Sequence, residues 1–143
     1  MRRLLLLLPL VCLAACGGGP PGDVFVVNRD GSVPGAKLKL QISDDGGAYC
    51  NNGDREDITS DQLIEAREIR RILNGDPREP DEVPGVARKN LSLPANGPTI
   101  YSYKVRSEEG TFNFHDSSRG QPVTSRIIRL TRDVAKQSCG LAR

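Results

Sequence analysis

Between Ala36 and Ser43 the chain alternates without a break. Ala36, Leu38, Leu40 and Ile42 are apolar, and Lys37, Lys39, Gln41 and Ser43 are polar. Successive side chains of a strand point to opposite faces, so a period of two sets one face on a core and the other in water. Strands buried on both faces of a parallel sheet read as continuous apolar runs, so this alternation predicts an antiparallel sheet with one wet face. Any fold for this chain must supply a layer that covers the other face.

The flanking segments extend that sheet. Val24-Phe25-Val26-Val27 is a compact β-branched and aromatic run, and Asn28-Arg29-Asp30-Gly31-Ser32 follows it with an Asp-Gly pair, which predicts a hairpin turn there. Asp44-Asp45-Gly46-Gly47 turns the chain into a third strand, Ala48-Tyr49-Cys50, which Asn51-Asn52-Gly53-Asp54 ends. A second hairpin is predicted where Tyr101, Tyr103 and Val105 alternate with Ser102, Lys104 and Arg106. Its turn is Ser107-Glu108-Glu109-Gly110 and its return strand Thr111 to His115.

Two helices provide the covering layer. Thr59 is an N-cap, Gln62 its capping-box partner, and Ile58 with Leu63 a hydrophobic staple. Leu63, Ala66, Ile69, Ile72 and Leu73 then recur at helical spacing opposite Glu65, Arg67, Glu68, Arg70 and Arg71, with Gly75 as the stop, which predicts a helix over Ser60–Asn74. Gln121-Pro122 leads into a second helix whose buried stripe is Val123, Ile127, Leu130 and Val134, ending at Gly140. Asn74 to Pro98 breaks every periodic pattern with five prolines and mixed charge, and reads as a long crossover suited to protein recognition, within which Leu91-Ser92-Leu93 packs locally. The expected fold is a single small α+β domain over 23–143: an antiparallel sheet of about five strands in the order βββα-ββα, with two helices on one face.

Met1-Arg2-Arg3 followed by the apolar run Leu4 to Val11 has the layout of a secretory signal, too short for the roughly 20 residues that span a bilayer as a helix. Leu13-Ala14-Ala15-Cys16 closes it and resembles the lipobox of bacterial lipoproteins. That resemblance implies a signal peptide over 1–15, cleavage before Cys16, a diacylglycerol on its thiol and attachment to the outer side of the cell membrane. Each buried methylene contributes about 0.8 kcal/mol, so two or three chains hold firmly. Gly17 to Gly22, rich in glycine and with a Pro20-Pro21 pair, completes a tether over 16–22.

With Cys12 in the signal and Cys16 acylated, Cys50 and Cys139 are left to each other, and a disulfide between them is expected in an oxidising compartment. Such a bridge closes a loop of about ninety residues, worth about 4 to 5 kcal/mol in the chain-entropy account. No C-x-x-C spacing points to redox chemistry. The signal also takes Arg2 and Arg3 with it, leaving eighteen basic against eighteen acidic side chains. A neutral chain lacks the electrostatic footprint of a nucleic-acid binder, so no nucleic-acid partner is expected and membrane attachment should rest on lipid.

Three groupings invite a chemical reading. His115, the only histidine, stands beside Asp116, Ser117 and Ser118, the residue types of a hydrolase. Residues so close in sequence do not readily align as nucleophile, base and orienter, and no G-x-S-x-G or S-x-x-K motif is present, so the expectation is a turn and no catalytic residue, with a small hydrolase as the alternative. Asp44, Asp45, Asn51, Asn52, Asp54, Glu56 and Asp57 offer oxygens but not the spacing of a calcium loop, and neither a metal nor a cofactor is expected. Arg126, Arg129, Arg132 and Lys136 form a stripe along the last helix, by default a solvated helix face and, as the alternative, a partner-binding face for an acidic protein or lipid headgroups.

The element order, Gly35 after the first hairpin, and the Tyr101-Ser102-Tyr103 to Phe114-His115-Asp116 hairpin before a helix together resemble the emfourin group, small inhibitors of thermolysin-like metalloproteases. The likeness covers roughly residues 24 to 138, from which the Asn74 to Pro98 segment and the cysteine pair depart. It implies a non-catalytic domain that binds a secreted or envelope protease, with no inhibitory residue carried over.

Overall fold

Strands Asp23–Gly31 (β1), Leu38–Ser43 (β2), Gly47–Cys50 (β3) and Arg55–Asp57 (β4) precede helix Ser60–Asn74 (α1). Strands Tyr101–Ser107 (β5) and Gly110–His115 (β6) and helix Val123–Gln137 (α2) complete the element order. The structure, a computed structural model, describes residues 22–78 and 84–141. The signal segment, Cys16 and the tether up to Pro21 lie outside the described residues, as do 79–83 of the crossover.

All six strands pair antiparallel in one sheet, in the order β4-β3-β2-β1-β5-β6. The alternation that predicted β2 is what sorts its faces. Leu38, Leu40 and Ile42 register with Arg29, Val27 and Phe25 of β1, and all six side chains are buried. On the other side of β1, Val27 faces Val105 and Arg29 faces Tyr103, and these face Phe112 and Phe114 of β6. Tyr103 and Phe114 stack at 4.9 Å and Phe112 lies 5.1 Å from Phe114, so one aromatic row closes that flank.

Both helices pack on this one face and share a single core with the sheet, to which α1 brings Ala66, Ile69 and Leu73 and α2 brings Val123, Ile127, Leu130 and Val134. The predicted capping box forms: Thr59 Oγ1 accepts from Gln62 N–H, and Gln62 Oε1 accepts from Thr59 N–H. The disulfide joins Cys50 at the end of β3 to Cys139 just after α2.

The sheet has one strand more than expected. Arg55-Glu56-Asp57 carries only charged side chains and no β-branched residue, so nothing in its composition marks a strand. It is placed by the preceding turn, where Asn51 and Asn52 both take left-handed backbone angles, φ 55° and 59°, and Gly53 N–H donates to Cys50 O. Charge on this edge discourages further strand pairing.

Asp30-Gly31 is not the hairpin turn. β1 runs through the pair, Asp30 facing Ser102 and Gly31 facing Tyr101, and the reversal comes later, at 32–37 with Gly35 at φ 76°. Gly31 is instead a point of close approach: a Cβ there would lie 2.4 Å from Ile100 O. Pairing along the full length of β5 outweighs the local turn preference of Asp-Gly. Arg29, turned toward the core, holds the true turn by donating from Nε to Ala36 O at 2.8 Å, and its guanidinium lies 5.0 Å from the centre of the Tyr101 ring.

The described part of the Asn74 to Pro98 crossover is docked on the domain. Gly75 bridges Pro84, Ala87 is fully buried with its N–H on Leu73 O, and Leu91 and Leu93 pack against the core. Leu93 N–H donates to Asn113 O and Asn113 N–H to Leu91 O, so residues 91–93 cover the outer edge of β6. Among the described residues no helix is long and apolar enough to cross a membrane.

Candidate functional site

The end of β6 and the segment entering β5 are tied together by side-chain hydrogen bonds. Asp116 follows β6 directly, and its carboxylate accepts Thr99 Oγ1–H at 2.6 Å and the N–H groups of Ile100 and Tyr101, each at 3.1 Å. Asp116 N–H in turn donates to Tyr101 O. Burial alone raises this carboxyl's pKa, but the hydroxyl and the backbone donors outweigh it and hold Asp116 below its ordinary range.

The two serines are used in the same way. Ser117 Oγ accepts Asn96 N–H at 3.2 Å and lies 3.1 Å from Thr99 Oγ1. Ser118 Oγ accepts His115 N–H at 2.9 Å and donates to Pro94 O at 2.8 Å. These three side chains thus stitch residues 94–101 to the β6 turn. His115 Nδ1 is buried without a hydrogen-bond partner. The hydrolase residue types do come together in space, but the carboxylate and both hydroxyls are spent on backbone and Thr99, and none orients the imidazole as a triad requires.

On this stitched segment stands Ile100, 49% exposed, one of two large apolar side chains left open to solvent among the described residues. Its N–H is held by Asp116 and its C=O accepts Ser32 N–H at 3.2 Å, so the backbone that presents the side chain is fixed from both sides. Pro98, whose ring sets its own φ, and Gly97 at φ 119° shape the approach. In sequence these residues read only as the tail of a long loop. A signal was present in the Asx-type chemistry of Asp116-Ser117-Ser118, but its targets lie some twenty residues away and are not visible locally.

The basic stripe of α2 proves to be divided. Arg126 donates to both carboxylate oxygens of Glu65 on α1, at 2.8 and 2.7 Å, and Arg129 reaches the same carboxylate at 3.5 Å. Arg132 pairs with the adjacent Asp133, and Lys136 is exposed. Half of the expected partner face therefore links the helices. The Arg126 hydrogen bond is the largest influence on Glu65 and holds its pKa low.

Most of the oxygen-rich residues around β3 are also engaged. Asp44 takes Arg67 at 2.8 Å, Asp45 takes Ser43 Oγ–H at 2.6 Å, and Asp57 pairs with Arg55. Asn51 and Asn52 accept from Lys39 N–H and Nζ. Among the described residues no three His, Cys, Asp or Glu side chains gather as metal ligands.

Comparison with protein-family models, with curated proteins and with solved structures finds no match.

Proposed function

We propose that this chain is a lipid-anchored lipoprotein on the outer side of a bacterial membrane whose folded domain acts by binding a protein, with inhibition of a secreted metalloprotease as its sharper form. The observation that carries the non-catalytic reading is the use made of Asp116, Ser117 and Ser118. A nucleophile must be free to attack and must share a hydrogen bond with its base. Here the hydroxyls and the carboxylate hold a loop in shape, which is the work of a binding surface on a rigid scaffold. The anchor rests on Leu13-Ala14-Ala15-Cys16, and the Cys50–Cys139 bridge fits the oxidising side of a membrane.

Fractionation of cells producing the full chain tests the anchor. The wild type should enter the detergent phase and Cys16→Ser should not; a variant that fractionates and migrates like the wild type overturns the anchor. For the domain, His115→Ala should leave function intact. A loss of about 10²-fold or more in a hydrolytic assay would restore the enzyme reading.

A further inference from the structure

We propose that the open face of the sheet rests on the anionic headgroups of the membrane to which the chain is attached, so that α1 and α2 point away from the bilayer. The inference rests on the anchored reading above and gives the anchored domain an orientation. Lipid holds the chain, and charge sets which way it faces.

Both helices pack on one face of the sheet, and along β1, β2 and β5 the other face is polar and open. Its cations gather at the centre. Lys39 and Lys104 register on either side of Asn28, Arg106 faces Val26 in the adjacent row, and Lys37 shares a groove with Lys39, Asn28 and Asp30. Lys39 Nζ donates to Asn52 Oδ1 at 2.8 Å, a neutral partner. None of the four cations makes an ion pair among the described residues, whereas Arg67 and Arg70 meet Asp44, Arg88 meets Glu109, and Arg126 and Arg129 meet Glu65. The carboxylates that β1 brings to this face, Asp23 and Asp30, stand near its ends and accept from Gln41 Nε2 and Gly31 N–H. Grouped cations without counter-charges repel one another, and an external anionic surface relieves that repulsion.

The point of attachment selects the occupant. Asp23 faces Ser43 and its carboxylate reaches Gln41 on the open side, so the tether enters beside that face. From Cys16 to Asp23 the chain reaches at most about 25 Å. From Asp23 to Asp30, β1 itself runs roughly 23 Å. A domain held within about its own strand length of the headgroups meets them at high effective concentration, which an unattached acidic protein does not. The patch spans three neighbouring strands, and long lysine and arginine stems absorb the twist across them, so one planar surface reaches all four cations.

Amine labelling of the full chain tests the proposal. The protein is purified in detergent from producing cells and reconstituted with vesicles of phosphatidylcholine, alone or with about one-third phosphatidylglycerol to make the surface anionic. Labelling of each lysine is followed by mass spectrometry. On the anionic vesicles Lys37, Lys39 and Lys104 should label at least about fivefold more slowly, the factor that one cation near an anionic surface supplies, with Lys136 on α2 unchanged. The difference should vanish in about 1 M salt, which screens charge within about 3 Å. Lys104→Glu with Arg106→Glu should abolish the protection of Lys37 and Lys39 while the Cys50–Cys139 bridge stays closed. A chain that floats with both vesicles but shows no protection, or protects Lys136 instead, overturns the orientation and leaves the anchor. Protection found in native membranes but not in anionic vesicles overturns the headgroup occupant and gives the face to an acidic protein. Flotation with the anionic vesicles alone overturns the lipid anchor and keeps the face, and flotation with neither overturns both.

Discussion

Arg126 on α2 clasps the carboxylate of Glu65 on α1 through two parallel hydrogen bonds, Nε to Oε1 at 2.8 Å and Nη2 to Oε2 at 2.7 Å. The pair bridges elements 61 residues apart in sequence. Both side chains are less than one-third exposed, at 31% and 24%, so geometry and partial shielding lift this pair above the ordinary surface ion pair. A double-mutant cycle with Arg126→Met and Glu65→Gln, read by urea unfolding, should return a coupling of about 1 kcal/mol. A coupling near zero would mean that the helices are held by Ile127, Leu130 and their neighbours alone.

The Cys50–Cys139 bridge closes a separation of 89 residues and joins the end of β3 to the residues just after α2. Its chief effect in the chain-entropy account is on the unfolded chain, which it keeps compact. Reduction, or Cys50→Ser with Cys139→Ser, should lower stability by about 2 to 4 kcal/mol. The urea m-value should rise at the same time, because the unfolded chain then exposes more surface.

Gly31 is required by space, not by backbone angle. A Cβ would stand 2.4 Å from Ile100 O and 2.9 Å from the Tyr101 ring, against backbone that β5 pairing holds in place. Gly31→Ala should cost roughly 1 to 3 kcal/mol, as overpacking does. Gly22→Ala, with nothing within 4 Å of its Cβ, serves as the neutral control. Amide shifts of Ile100 and Tyr101 should move in the first variant only.

Asp116 makes the loop sensitive to acid. Its desolvation favours the neutral form, but the Thr99 hydroxyl and the Ile100 and Tyr101 N–H groups favour the carboxylate more, and its folded pKa lies below the ordinary value. A depressed carboxyl contributes stability that is fully present above the unfolded pKa, about 3.9, and is lost as pH falls through the lower folded value. The Ile100 and Tyr101 amides should therefore stay protected from hydrogen exchange at pH 5 to 7, once intrinsic rates are corrected for pH. Their protection should fall only below the usual carboxylate range. Asp116→Asn should weaken protection at neutral pH and remove the acid step.

Local chemistry made much of the fold legible. α1 spans the Ser60–Asn74 predicted for it because a cap, a capping-box glutamine and a terminal glycine all act within a few residues of each other. The β5–β6 hairpin follows likewise from its alternation and its Glu108-Glu109 turn. β4 was not legible, since Arg55-Glu56-Asp57 is a strand only because β3 offers an edge. Asp30-Gly31 misled for the converse reason: its turn preference is local, and the partner that overrides it, β5, begins seventy residues later. The candidate site was half visible. Asp116, Ser117 and Ser118 announce a turn, yet nothing nearby tells that their hydrogen bonds reach Asn96, Thr99 and Ile100.

The amino-acid sequence by itself determined the α+β class and both helices, because periodicity and capping act over short range, while the expected pairing of Cys50 with Cys139 drew on the lipobox resemblance and is shown by the structure. Tertiary structure alone decided that the helices share a clasp between Glu65 and Arg126, that the Leu91–Leu93 segment covers a sheet edge, and that Ile100 stands on a braced loop. Each of these depends on groups distant in the chain meeting with the right geometry, and that meeting is settled by packing of the whole core.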